Sequence, residues 1–180
     1  MSTDSVKLLT LRASPYAMRA ILALEAKGVK YELIEEDLSA QSQLWLESNP
    51  VYKKIPVLLH GGKAIPESLF IVLYVDEAWP ERALSFRRIH MHDGFTQLDA
   101  KPFFNGTGIG YADIFLAPLA AWLRLFVELA GIRAPTAEEA PKLHKFFNAI
   151  REHPATKVAF PDPDELLSYV ILHVKRTMAA

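Results

Sequence analysis

Three short stretches in the first half of the chain hold side chains that could do chemistry. Ser14 stands immediately before Pro15 and a helical pattern. A hydroxyl there, beside the unpaired N–H groups that open a helix, favours an anion; the same serine would also serve as an ordinary N-cap. Lys53 and Lys54 stand just ahead of "IPVLLH" and its Pro56. Two lysines could bind a carboxylate or simply face water, and a proline at a strand's start is either cis or the mark of an edge. "PES" (66–68) sets a carboxylate and a hydroxyl at another helix start, a combination suited to an ammonium plus a carboxylate, or to capping. Together these junctions offer the mixture of groups that a small zwitterionic peptide needs. The chain contains no cysteine, so any thiolate handled at Ser14 must come from the ligand.

The elements that must position these residues can be read from apolar periodicity. "VKLLTLR" and "VKYELIEED" read as strands on either side of a helix, "PYAMRAILALEAKG", with Pro15 near its first turn and Gly28 at its end. "IPVLLH" and "GKAIPES" read as two short strands joined by Gly61-Gly62, and "ESLFIVLYVDEAW" as a mostly buried helix. The order β-α-β-(α)-β-β-α makes this part α/β. After "WPERAL" the strands stop, and three helical patterns follow, over 111–130, 136–152 and 163–177. "GIRAPT" and "HPATKVAFPDP" break them with proline and glycine. The expected division is an α/β domain over 1–80 and a helical domain over 81–180.

Composition narrows the function classes. Of 180 residues, 51% are hydrophobic and 23% charged, as in an ordinary globular protein. The first eighty residues carry 8 basic and 10 acidic side chains and the remainder 12 and 11. Neither part has the footprint of a nucleic-acid or membrane-surface binder. The N-terminus lacks the pattern of a signal peptide. The run "IFLAPLAAWLRLFVELAG" (114–131) contains Pro118, Arg124 and Glu128, which suits a buried helix better than a membrane span. The absence of cysteine fits a reducing, cytoplasmic setting.

The segments "SPYAMR", "EEDL", "NPVYKKIPVLLHGGKAIPES" and "VLYVDEAWP" closely resemble the plant tau-class glutathione transferases. The match runs from about residue 5 to 80 and resumes at "KPFFNGTGIGYADIFLAPLAAWLR". The resemblance implies a thioredoxin-like N-terminal domain followed by a helical domain of the glutathione-transferase type. It implies that Ser14 stabilises the thiolate of glutathione, a cosubstrate rather than a bound cofactor. Lys54 would reach the glycyl end, Ile55 would pair with the cysteinyl backbone ahead of a cis-Pro56, and Glu67 and Ser68 would hold the γ-glutamyl end. Tyr16 and Trp122 fall at positions resembling the wall of an apolar site for hydrophobic electrophiles, although both types are equally at home in an ordinary core.

Two departures from the family pattern stand out. Gln41 occupies a position usually held by a lysine that helps bind the glycyl carboxylate; it can donate a hydrogen bond but brings no charge. Between Trp79 and Lys101 there is room for only "PERALSFRRIHMHDGFTQLDA", where the family carries two long helices. One helix and much of another are missing, which leaves apolar faces of the rest uncovered and weakens the homodimer that the resemblance implies. Within this stretch "HMHD" (His90, His92, Asp93) is too sparse to argue a metal site. "TGIGYAD" reads as folding chemistry, with Asp113 capping a helix whose cap residue is glycine.

The expected function is conjugation of glutathione to hydrophobic electrophiles. Its rivals are glutathione-dependent peroxide reduction, which uses the same thiolate, and a non-catalytic glutathione- or ligand-binding protein whose activity went with the missing helices.

Overall fold

A computed structural model describes residues 5–82, 84, 101–104, 106 and 108–178. The chain divides into two compact units, Met1–Leu84 and Ser85–Ala180.

In the first unit, β1 (Lys7–Thr10) leads into α1 (Pro15–Lys27), β2 (Glu32–Glu35), α2 (Gln43–Ser48), β3 (Val57–His60), β4 (Lys63–Pro66) and α3 (Ser68–Ala78), with a 3₁₀ turn at Pro80–Arg82. The sheet order is β2-β1-β3-β4; β1 pairs parallel with β2 and antiparallel with β3, and β4 closes a hairpin on β3. Side chains alternate between faces. Leu9 and Val57 meet Trp45 of α2 in one buried cluster, while Leu8 and Leu58, one position along, are fully buried on the other side.

Helix α1 forms where its sequence predicts. Pro15 sits at the first helical position, where its missing N–H costs nothing, and Gly28 closes the helix in the left-handed region at φ 65°. The α1–α3 packing is pinned by Lys27, whose side chain is fully buried. Its ammonium donates to the backbone carbonyls of Asp76 (3.1 Å) and Trp79 (2.6 Å) and pairs with the Asp76 carboxylate.

The second unit contains α4 (Tyr111–Ala130), α5 (Pro141–Glu152), α6 (Pro154–Ala159) and α7 (Pro163–Met178). Asp113 accepts from the backbone N–H groups of Gly110 and Phe104, both at 2.9 Å. This carboxylate cap ties the preceding loop to the start of α4.

Two boundaries differ from the sequence expectation. The pattern over 136–152 becomes helical only at Pro141, because Ala140, preceding a proline, is held outside the helical region at φ −138°, ψ 63°. Thr136 and Glu139 instead close a separate turn through reciprocal bonds of 2.9 and 3.2 Å. "HPATKVAFPDP", read as a break, contains α6. Pro154 starts that helix, and His153 caps it by accepting from the Ala155 N–H at 3.2 Å. Residues 85–100, which include "HMHD" and most of the abridged stretch, lie outside the described residues. Among the described residues, no helix is long and apolar enough to cross a membrane.

Candidate active site

The sheet register gathers the chemistry-bearing junctions at one edge. Leu9 of β1 lies opposite Val57 of β3, and Val57 lies opposite Pro66 of β4. The chain leaving β1, the chain entering β3 and the chain leaving β4 must therefore emerge side by side. A pocket of about 230 Å³ opens there, lined by Tyr16, Lys54, Ile55, Pro56, Glu67 and Ser68. Five of these six were assigned to one glutathione site from the sequence, and Tyr16 to the electrophile.

Each wall has its own local cause. Ser14 has extended backbone (φ −74°, ψ 122°), and its Oγ accepts from the Ala17 N–H at 3.3 Å. The serine is thus an N-cap, and that bond uses an acceptor position only. Among the described residues nothing accepts from its O–H. Ser14 does not itself line the pocket, but stands two residues before Tyr16, which does. Tyr16 is 56% exposed, and the Arg19 guanidinium lies 5.1 Å from its ring centre. Burial lowers the Arg19 pKa from its ordinary value, an effect partly opposed by Tyr16.

On the second wall the Ile55–Pro56 peptide bond is cis. Asn49 holds the chain before it. Its buried side chain donates from Nδ2 to the Lys54 carbonyl (2.9 Å) and accepts from the Tyr52 N–H (3.4 Å), while Lys53 adopts φ 48° and donates its N–H to the Asn49 carbonyl. The backbone that carries Lys54 into the pocket is therefore set by Asn49, a residue to which sequence reasoning gave no role. Its one sequence signal was the Asn-Pro pair, a turn initiator.

On the third wall Glu67 has φ 70°, ψ 119°, in a region that residues with a Cβ rarely occupy, and precedes the first turn of α3. Such a conformation costs on the order of 1–3 kcal/mol and persists only where the surrounding structure holds it. The Glu67 carboxylate makes no hydrogen bond among the described residues. Ser68, 6% exposed, begins the helix, whose first N–H groups have no intrahelical partner.

Besides Ser14, two predicted residues are not brought to this lining. Gln41 lies outside it, and its side-chain amide donates to the Lys53 carbonyl at 3.4 Å. Trp122 belongs to α4 in the second unit, half-buried and 6.0 Å from the Phe126 ring.

Comparison with known proteins matches residues 4–77 to the glutathione S-transferase N-terminal domain and residues 90–154 to the C-terminal domain. Glutathione transferase GST 23 of Zea mays is 34% identical over 210 aligned positions, covering 93% of this chain and 95% of that protein. A probable glutathione S-transferase of Solanum tuberosum is 38% identical, covering 90% and 92%. Since 210 aligned positions exceed the 180 residues of this chain, the maize protein carries internal residues that this chain lacks. Among solved structures, the tau-class glutathione S-transferase of mango (Mangifera indica) superposes with a TM-score of 0.80 at 31% identity, covering 93% of this chain and 98% of that one. Rice GST1, solved in complex with glutathione, gives 0.80 at 26% identity, covering 98% and 99%. The thioredoxin-like sheet, the helical second unit and these matches along nearly the whole chain agree: the protein belongs to the glutathione S-transferase family, with plant tau-class enzymes as its homologues.

Proposed function

We propose that the protein conjugates the thiolate of glutathione to hydrophobic electrophiles, with Ser14 as the catalytic hydroxyl. One observation carries this reading. The pocket at the sheet edge unites a cation (Lys54), a carboxylate (Glu67) and a hydroxyl at a helix start (Ser68), next to the turn that bears Ser14.

In this reading Glu67 receives the γ-glutamyl ammonium. Ser68 and the opening N–H groups of α3 receive its carboxylate, and the Lys54 ammonium receives the glycyl carboxylate. Ile55, held beside Pro56, offers its backbone to the cysteinyl unit. The sulfur then lies toward the start of α1, where the Ser14 O–H donates to it. A free thiol with pKa ~8.5 is mostly protonated at neutral pH, and lowering that value by about 2 takes ~2.7 kcal/mol. One hydrogen bond to a charged group supplies about 1.5–3 kcal/mol and a helix N-terminus roughly 0.3–1 more. No general base is required, and Ser14 stays a neutral donor throughout. The thiolate sulfur forms the new bond to the electrophilic carbon, and the leaving group, chloride in a chloronitroaromatic, departs with its electron pair. The exposed ring of Tyr16 is the apolar contact that this reading gives the second substrate. The cytoplasm, where glutathione is reduced, is the compartment this chemistry needs.

The test is glutathione-dependent conjugation of a chloronitroaromatic by the wild-type protein and Ser14→Ala. Loss of one charge-assisted bond should lower kcat/KM by roughly 10- to 100-fold; equal rates would remove Ser14 from the mechanism. A second reading, saturable glutathione binding without turnover, is favoured by the internal residues this chain lacks relative to the maize protein. Binding by calorimetry with no conjugation would select it.

The reading includes a homodimer. Leu69, Phe70 and Leu73 form an apolar strip on α3 and are 48%, 59% and 40% exposed. Such a strip is stabilised by a partner.

A further inference from the structure

Glu36 is a buried carboxyl group that the proposed chemistry does not use. It follows β2 and is 6% exposed. Among the described residues its only side-chain partner is Ser42: the Ser42 hydroxyl donates to Oε1 at 2.8 Å and the Ser42 N–H to Oε2 at 3.4 Å. A carboxyl group shut away from water with so few donors is costly to keep, so its place calls for an explanation.

The bonds lead from Glu36 to the pocket. While donating to Glu36, the Ser42 Oγ accepts from the Trp45 N–H at 3.1 Å and so caps α2. A hydroxyl that donates to a carboxylate is a stronger acceptor, and the two bonds reinforce each other. The segment thus anchored is tied at both ends to the turn that carries Lys54. Gln41 donates to the Lys53 carbonyl, and Asn49, whose own N–H reaches the Trp45 carbonyl at 3.0 Å, donates to the Lys54 carbonyl. Fixing the start of α2 therefore fixes residues 53–54.

We propose that Glu36 is a positioning residue for the glycyl end of glutathione, acting through Ser42 and the 41–49 segment on the Lys54 ammonium. This rests on the role given to Lys54 above. The inference separates two ligands that differ only at that end, glutathione and γ-glutamylcysteine, which lacks the glycine.

The experiment is calorimetric binding of both peptides to the wild type, Glu36→Leu, Glu36→Gln and Lys54→Ala. Glu36→Leu should weaken glutathione about tenfold, ~1.4 kcal/mol, while γ-glutamylcysteine changes by less than about twofold. Glu36→Gln, which keeps an acceptor oxygen, should recover most of the loss. In the Lys54→Ala background, Glu36→Leu should have no further effect on glutathione. Equal weakening of both peptides, or an undiminished effect in the Lys54→Ala background, would overturn the proposal by showing a general structural role. Should Glu36→Leu fail to fold, Ser42→Ala cuts the same relay by removing one oxygen and carries the same predictions. If Lys54→Ala leaves glutathione binding unchanged, the role of Lys54 itself falls, and this inference with it.

Discussion

Ser14 accepts from Ala17 through Oγ and, among the described residues, gives its proton to no one. That division makes one residue both a helix cap and a candidate thiolate donor, so the two readings open from sequence do not compete. Lys54, Glu67 and Ser68 of the pocket lining, and Ser14 on the turn beside it, could be picked out as candidates from sequence because their types stand at junctions between elements. Asn49 and Glu36 could not, because their meaning lies in contacts made after the chain has folded: Asn49 with the Lys54 carbonyl, Glu36 with the cap of α2. Gln41 sits between these cases. Its amide braces Lys53 and leaves Lys54 as the cation of the pocket lining. Gln41→Lys should therefore tighten glutathione by up to about 1 kcal/mol, the scale of a solvent-exposed ion pair. Calorimetry at low and high salt checks this, since a gain of electrostatic origin shrinks as salt rises.

At the scale of elements, strands and long helices followed from periodicity, whereas boundaries depended on proline. Pro141 and Pro154 begin helices; in the sequence they resembled an interior position and a break. The join between α1 and α3 was likewise hidden, because Lys27 reads as an ordinary cation near a helix end. Buried among three oxygens, it cannot lose its ammonium cheaply. Lys27→Met should cost up to about 3 kcal/mol by taking the cation away from the Asp76 carboxylate, which still accepts from the Leu84 N–H at 2.7 Å. Adding Asp76→Asn, which keeps an acceptor for that N–H, should restore part of the loss. Urea melts of the single and double variants measure both. In the second unit, burial depresses the pKa of His153 below the 6.5 of a free imidazole, and its ring accepts from the Ala155 N–H. The unfolded chain then binds the proton more readily. Stability is full above the unfolded value and declines as pH falls below it toward the folded value. The Tm should drop between about pH 7.5 and about pH 5.5, and drop less in His153→Asn, which keeps a capping acceptor.

For the molecule as a whole, the two textures of the sequence correspond to an α/β unit and a helical one, because period-2 and period-3.6 patterns bury different faces. The abridged stretch was also visible, and the maize alignment agrees that internal residues are missing. On α4, Leu119, Phe126, Val127 and Leu129 are 46%, 37%, 40% and 46% exposed. Each apolar side chain left in water forgoes roughly 1.5–3 kcal/mol, so the proposed homodimer would add to the stability that packing within the chain supplies. Sedimentation at about 10 μM should show a dimer that Phe70→Glu converts to monomer. A wild-type monomer at that concentration would show that the α3 strip has no self-partner.

The most direct test of the central claim is the ionisation of the bound sulfur. Thiolate absorbance of glutathione titrated on the wild-type protein should give a pKa about 2 below the free value of ~8.5, and on Ser14→Ala most of that depression should vanish. A bound thiol that ionises like the free one on the wild type, or equally low on both proteins, would contradict the assignment of Ser14.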